Sequence, residues 1–175
     1  MFKFDVNITE QDYNKFILFH SVESKYAKRA IRFARIWAFI TFLIMSAIVI
    51  LNNREVGWGL LLAVIPIAVI LFLLSLLIKP FNKLGNRLKG RKYYSPVSTV
   101  EFNDDYISET TPETKLRFKY PAMDSAYVVS NDVVYIYRNY RQAFIIPRAS
   151  FESQEQWDSF MEFIKGKIKD VSVIE

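Results

Sequence analysis

Cysteine is absent from this 175-residue chain, histidine occurs once, at His20, and glycine only five times. Without cysteine there is no disulfide framework, no thiolate nucleophile and no cysteine-based metal site, a usage that suits a reducing compartment. His20 stands among Phe16, Ile17 and Phe19 with no ligands flanking it at metal-binding spacing, so it reads as a packed ring rather than a base. The sequence also lacks a phosphate-binding loop, a dinucleotide fingerprint and a G-x-S-x-G nucleophile turn. Asp104 and Asp105 are the best carboxylate pair, but they follow Asn103 between two strand-like runs, which is turn chemistry. No catalytic, cofactor-binding or metal-ligating residue is assigned, no cofactor is expected, and the sequence points away from an enzyme.

Charge is missing as well, from two long runs. Residues 36–53 contain no ionisable side chain, and neither do the 23 consecutive residues 56–78. A hydrocarbon layer about 30 Å thick needs roughly 20 apolar residues at a helical rise of 1.5 Å, so both runs are predicted to be transmembrane helices. A signal peptide is not expected, because the first run begins only after a polar stretch that includes Asp5, Glu10, Asp12 and Glu23. The spans hold no acidic or basic group for an ion relay; Pro66 predicts a kink in the second.

The charge that is present is unevenly placed. The net charge of +5 divides into 12 basic and one acidic residue over 25–92, two and four over 1–24, and nine and 13 over 93–175. Lysine- and arginine-rich flanks stay on the cytoplasmic side, so both termini are expected there, with residues 54–55 as a short extracytoplasmic turn. Lys25, Lys28, Arg29 and Arg32 recur at i, i+3, i+4 and i+7 and share one helical face, while Val22, Tyr26, Ala30, Phe33 and Trp37 take another. Sitting within a turn or two of an apolar span, these cations are candidate contacts for anionic lipid, and no nucleic-acid partner is expected.

The remaining segments alternate like strands. Phe2, Phe4, Val6 and Ile8 alternate with polar residues over 2–8, and Thr9 with Asp12 offers a helix N-cap. Beyond the basic linker 79–96, strand-like runs at 97–102, 106–110, 116–120, 127–129, 133–137 and 143–146 are separated by polar turns. Ser153 and Gln156 then mark the start of a terminal amphipathic helix carrying Trp157, Phe160, Met161, Ile164 and Ile168. The spacing predicts an antiparallel meander or barrel, and the N-terminal strand, too short to form a core alone, is predicted to join it. Along one strand Lys115, Arg117 and Lys119 share a face, with Leu116, Phe118 and Tyr120 predicted to point into the core. These three are the second candidate contact for anionic lipid, while Tyr127, Tyr135 and Tyr137 are read as core.

Ile146, Pro147, Arg148 and Phe151 form an "IPR-x-x-F" turn ahead of Gln156-Trp157-Asp158-Ser159-Phe160. The turn, and the order of elements along the whole chain, resembles the YcxB-like bacterial membrane proteins. The resemblance implies a two-helix anchor, residues 36–53 and 56–78, entered through a cytoplasmic strand and amphipathic helix at 1–35. It also implies a pleckstrin-homology-like domain at 97–175, hence an α+β membrane protein. It carries over no catalytic residue. Physically the turn is structural: Pro147 cannot donate to a sheet ladder, and Phe151 can staple onto the helix. Together these readings predict a non-enzymatic, multi-pass protein of the bacterial inner membrane. Its cytoplasmic domain would bind anionic headgroups or an unknown membrane or cytoplasmic protein. The alternative is an accessory or regulatory subunit that contacts a membrane complex through the hairpin.

Overall fold

The computed structural model describes residues 1–52 and 97–174; the turn 54–55, the second predicted span 56–78 and the linker 79–96 lie outside them. The fold is α+β, with a long N-terminal helix and two sheets. The chain divides into two compact units, Met1–Phe16 with Arg91–Glu175, and Ile17–Gly90.

In the first unit, strand β1 (Phe2–Val6) pairs antiparallel with β2 (Ser98–Phe102), in a register that sets Phe4 opposite Val100. The predicted docking of the N-terminal strand is therefore what the chain adopts. β3 (Tyr106–Thr110) and β4 (Lys115–Lys119) extend the sheet in the order β1-β2-β3-β4. Alternation dictates the faces: Phe4, Val6, Val100, Phe102 and Ile107 turn inward and are buried, and Lys3, Glu101, Arg117 and their row turn outward.

The meander then breaks. Tyr120–Ala122 form a single 3-10 turn with Pro121 inside it, and the Tyr120 hydroxyl donates to the Asn103 carbonyl at 2.7 Å. Proline cannot donate to a ladder, so the strand stops there and the chain starts a second sheet. That sheet holds β5 (Ser125–Val129), β6 (Val133–Asn139), β7 (Gln142–Pro147) and β8 (Val171–Ile174) in the order β7-β6-β5-β8. Ser130 and Asn131 adopt left-handed φ values of 49° and 52°, and the Asp132 N–H donates to the Val129 carbonyl at 2.9 Å. This tight turn matches the twist of the flanking strands.

Between β7 and β8 lies helix α3 (Gln154–Lys167), whose Trp157, Phe160 and Ile164 are buried. Ser153 caps it as the sequence predicts: its Oγ accepts from the Gln156 N–H at 3.1 Å, and the Gln156 side chain accepts from the Glu152 N–H at 2.8 Å. One core joins both sheets and α3, with Phe160 in edge contact with Phe2, Phe4 and Phe102 at 4.9–5.3 Å between ring centres.

Two expectations need correction. The described strands do not form one continuous antiparallel meander; they divide into two four-stranded sheets at Pro121. The chain also does not close on its helix, because β8 follows and pairs in parallel with β5, making the second sheet mixed. A crossover through a helix is what parallel pairing requires, and α3 supplies it. The other face of the second sheet is buried too, by Tyr127, Val133, Tyr135, Tyr137 and Ile145. Helix α1 (Glu10–Val22) sets Phe16 on Tyr135 and Tyr137 at 5.2 and 5.9 Å. At its start the Thr9 Oγ1 accepts from the Asp12 N–H at 3.2 Å and the Asp12 carboxylate accepts from the Thr9 N–H at 3.0 Å, a reciprocal cap.

In the second unit α1 ends at Val22, and Ser24 starts a new helix: its Oγ accepts from the Ala27 N–H at 3.2 Å and donates to the His20 carbonyl at 2.6 Å. Helix α2 then runs without a break over Lys25–Asn52. Bent at Glu23–Ser24, the stretch Glu10–Ile48 is the one helical segment among the described residues that is long and apolar enough to cross a membrane.

Candidate functional site

The three cations predicted to share a face do so. β4 sits opposite β3 with Lys119 across from Tyr106, Arg117 across from Ser108 and Lys115 across from Thr110. All three cations are exposed, and among the described residues none has a carboxylate within ion-pair distance. Arg117 lies over the Tyr106 ring at 5.1 Å, which fixes one guanidinium on the face by a cation–π contact. On the opposite side of the strand the expectation holds only in part. Tyr120, just past β4, is buried and Phe118 is half-buried against Phe144 at 5.9 Å, but Leu116 is 46% exposed. Leu116 sits on the last strand of the sheet, where no neighbouring strand among the described residues covers its outer side.

Glu109 faces Leu116 across the ladder. Burial raises its carboxyl above the usual range, and a hydrogen bond with Ser98 partly counters the shift.

The second candidate group lies at the start of α2. Lys28, Arg29, Arg32 and Arg35 are exposed and Lys25 is partly so; Lys28 pairs with Glu23 at 3.3 Å, and Lys25 lies over the Tyr26 ring at 5.9 Å. At 100° per residue these five fall within about a third of the helix circumference. Phe33 and Trp37 are exposed next to them, their rings in edge contact at 5.9 Å. The same helix continues into Phe39, Ile40, Leu43, Ile44, Met45 and Ile48, all exposed. From Ile36 to Asn52 it rises about 25 Å at 1.5 Å per residue, close to the thickness of a hydrocarbon layer.

His20 is partly covered beside Tyr26, with ring centres 6.5 Å apart, and burial pushes its imidazole below the usual range. Among the described residues no three histidine, aspartate or glutamate side chains cluster as metal ligands.

The turn motif is built as a clamp. Ile146 is buried in β7 and Pro147 begins a 3-10 turn over Arg148–Ser150. The Arg148 guanidinium donates to the Gln154 Oε1 at 2.8 Å and lies over the Trp157 ring at 5.0 Å. Phe151 packs on Phe4 at 4.5 Å and Trp157 at 4.8 Å, so the motif ties β1, β7 and α3 into one core.

One feature had no signal in the sequence: a polar cleft of about 300 Å³ lined by residues that include Asp5, Asp12, Lys15, Asp132, Tyr135 and Arg148. Lys15 and Asp132, 117 positions apart, pair at 2.9 Å. The hydrogen bond to Asp132 and its charge raise the lysine above its usual range. Asp5 accepts from the Thr99 hydroxyl at 2.7 Å and Asp12 is held in the α1 cap. Burial, with the nearby Asp12 and Asp132, raises the Tyr135 phenol. With each carboxylate committed to a partner, the cleft is a seam that holds α1 to the second sheet. Only long-range pairing reveals it.

Over residues 102–164, from the end of β2 to α3, the chain matches the family described as YcxB-like protein, the family its turn motif resembles. The matched stretch is narrower than the whole-chain likeness, and residues 1–101 lie outside it. No curated protein and no solved structure matches the chain.

Proposed function

We propose that this is a non-enzymatic integral membrane protein of the bacterial inner membrane. Two spans, 36–53 and 56–78, anchor it with both termini in the cytoplasm, and a pleckstrin-like domain is presented there as a binding module. Anionic headgroups are held by the first turns of α2, and the domain is left free to engage a protein partner. The observation that carries this reading is the continuity of α2: five cations on one face, an aromatic pair, and then an exposed apolar run, all on one unbroken helix. Basic residues at the membrane surface each contribute about 1 kcal/mol of attraction to anionic lipid. Tethering also holds the domain at high effective concentration near membrane partners.

The test is lipid selectivity of the full chain in bilayers, read with spin-labelled phosphatidylglycerol against spin-labelled phosphatidylcholine. The native chain should hold the anionic lipid several-fold more, and the variant Lys28→Gln, Arg29→Gln, Arg32→Gln, Arg35→Gln should lose most of that preference. Equal selectivity in the two chains would sink the reading.

A further inference from the structure

We propose that the outer edge of β4 is a docking edge for an extended segment of a protein partner in which acidic side chains alternate with apolar ones. The inference rests on the reading of the domain as a binding module and names the chemistry of what it binds.

Three observations converge on one strand. First, β4 is the last strand of its sheet, paired among the described residues with β3 alone, so its other backbone edge is open to an added strand. Secondly, Lys115, Arg117 and Lys119 form a single row along that edge, spaced by two residues or about 7 Å, with no carboxylate paired to any of them among the described residues. A strand laid alongside sets its alternate side chains directly opposite such a row, about 5 Å away at Cβ. Carboxylates at every second position would meet all three cations. Thirdly, the other face of the same edge offers Leu116, 46% exposed, and the half-buried Phe118, with Arg138 4.5 Å over its ring. The residues between the carboxylates would lie over this apolar strip, so they should be apolar.

The alternatives fit less well. A second copy of the chain pairing edge to edge would bring two rows of cations against each other. A bilayer would present charge over an area, whereas the cations here lie in one line, on a face where Lys3 is already paired with Glu101 at 3.5 Å.

The test uses the full chain in zwitterionic bilayer discs and a labelled decapeptide of alternating Glu and Val, with three controls. These are a block-scrambled peptide of equal composition, a peptide N-methylated along the edge that would face β4, and a Lys-Val analogue. The alternating peptide should bind. N-methylation should weaken it by about tenfold at unchanged charge, the loss of one or two backbone hydrogen bonds. The variant Lys115→Glu, Arg117→Glu, Lys119→Glu should abolish binding of the Glu peptide and gain binding of the Lys peptide. Equal affinity for the N-methylated or scrambled peptide would overturn the proposal by reducing it to charge attraction. Displacement of the peptide by phosphatidylglycerol vesicles or a single-stranded oligonucleotide would overturn it in favour of those ligands. Failure of the peptide to bind while the α2-dependent lipid selectivity persists would overturn this inference alone; loss of lipid selectivity would strike the proposed function instead.

Discussion

Replacing Phe4 by alanine should unsettle the C-terminal domain from a position almost a hundred residues away from it. Phe4 is 1% exposed, and its ring meets Phe151 at 4.5 Å, Phe160 at 5.1 Å and Phe102 at 6.0 Å. Truncating a buried phenylalanine to alanine costs about 3–5 kcal/mol when the surrounding core cannot collapse. Here two sheets and a helix hold the site open. The cost has a ceiling: if it exceeds what docks β1 on β2, the strand releases and the loss stops there. The effect therefore reports how firmly the N-terminal strand belongs to the domain. The assay is urea unfolding of the full chain in micelles, with Trp37→Phe and Trp58→Phe leaving Trp157, 2% exposed, as the reporter. At about 1–3 kcal/mol per molar urea, the Phe4→Ala midpoint should fall by about 2 M. Leu116→Ala, on the exposed edge, should cost under about 1 kcal/mol. An unchanged midpoint for Phe4→Ala, with a fragment from residue 93 onward fully stable by itself, would show that β1 is not part of this core.

Other outcomes follow from the same packing. Phe151→Ala should destabilise the domain by about 3 kcal/mol, and a midpoint shift no larger than that of Leu116→Ala would remove the clamp reading of the turn. Ser153→Ala should cost about 1 kcal/mol through loss of the α3 cap, measured as faster amide exchange in its first turn; unchanged exchange would show the cap is dispensable. Glu109 is held above the ordinary carboxyl value of 4.5 by burial, so the folded chain keeps a proton that the unfolded chain releases first. Its contribution is present below that value and is lost as pH rises through the raised folded value. Glu109→Gln should therefore flatten the decline in stability between mildly acidic and neutral pH, and an identical pH profile would show that the carboxyl is not buried in solution.

How far the residues announced this structure differs by element. β3 appears at its predicted boundaries because Asn103-Asp104-Asp105 and Thr111-Pro112-Glu113 bracket an alternating run whose turn chemistry is local. Both helix caps, Thr9 with Asp12 and Ser153 with Gln156, were legible for the same reason. The division into two sheets was not. Pro121 marks a stop, but whether the next strand rejoins the same sheet depends on where Tyr120 finds an acceptor, 17 residues back at Asn103. β8 was missed because Val171–Ile174 is four residues long, and its partner, β5, lies across a helix. Among the candidate residues, the shared face of Lys115, Arg117 and Lys119 follows from a period of two alone. The exposure of Leu116 does not, since alternation fixes a direction and only the sheet order reveals that β4 is the last strand of its sheet among the described residues. The Lys15–Asp132 pair belongs to the same long-range class.

The absence of cysteine makes one experiment clean. Single cysteines introduced by Asn52→Cys, at the end of α2, and Tyr140→Cys, in the exposed β6–β7 turn, can be probed in intact spheroplasts with a membrane-impermeant maleimide. If α2 crosses the bilayer with its cations on the inner side, the cysteine at 52 labels from outside and the one at 140 labels only after lysis. Labelling at 140 in intact spheroplasts, or extraction of the chain from membranes by alkaline carbonate, would contradict the anchor on which the proposed function rests.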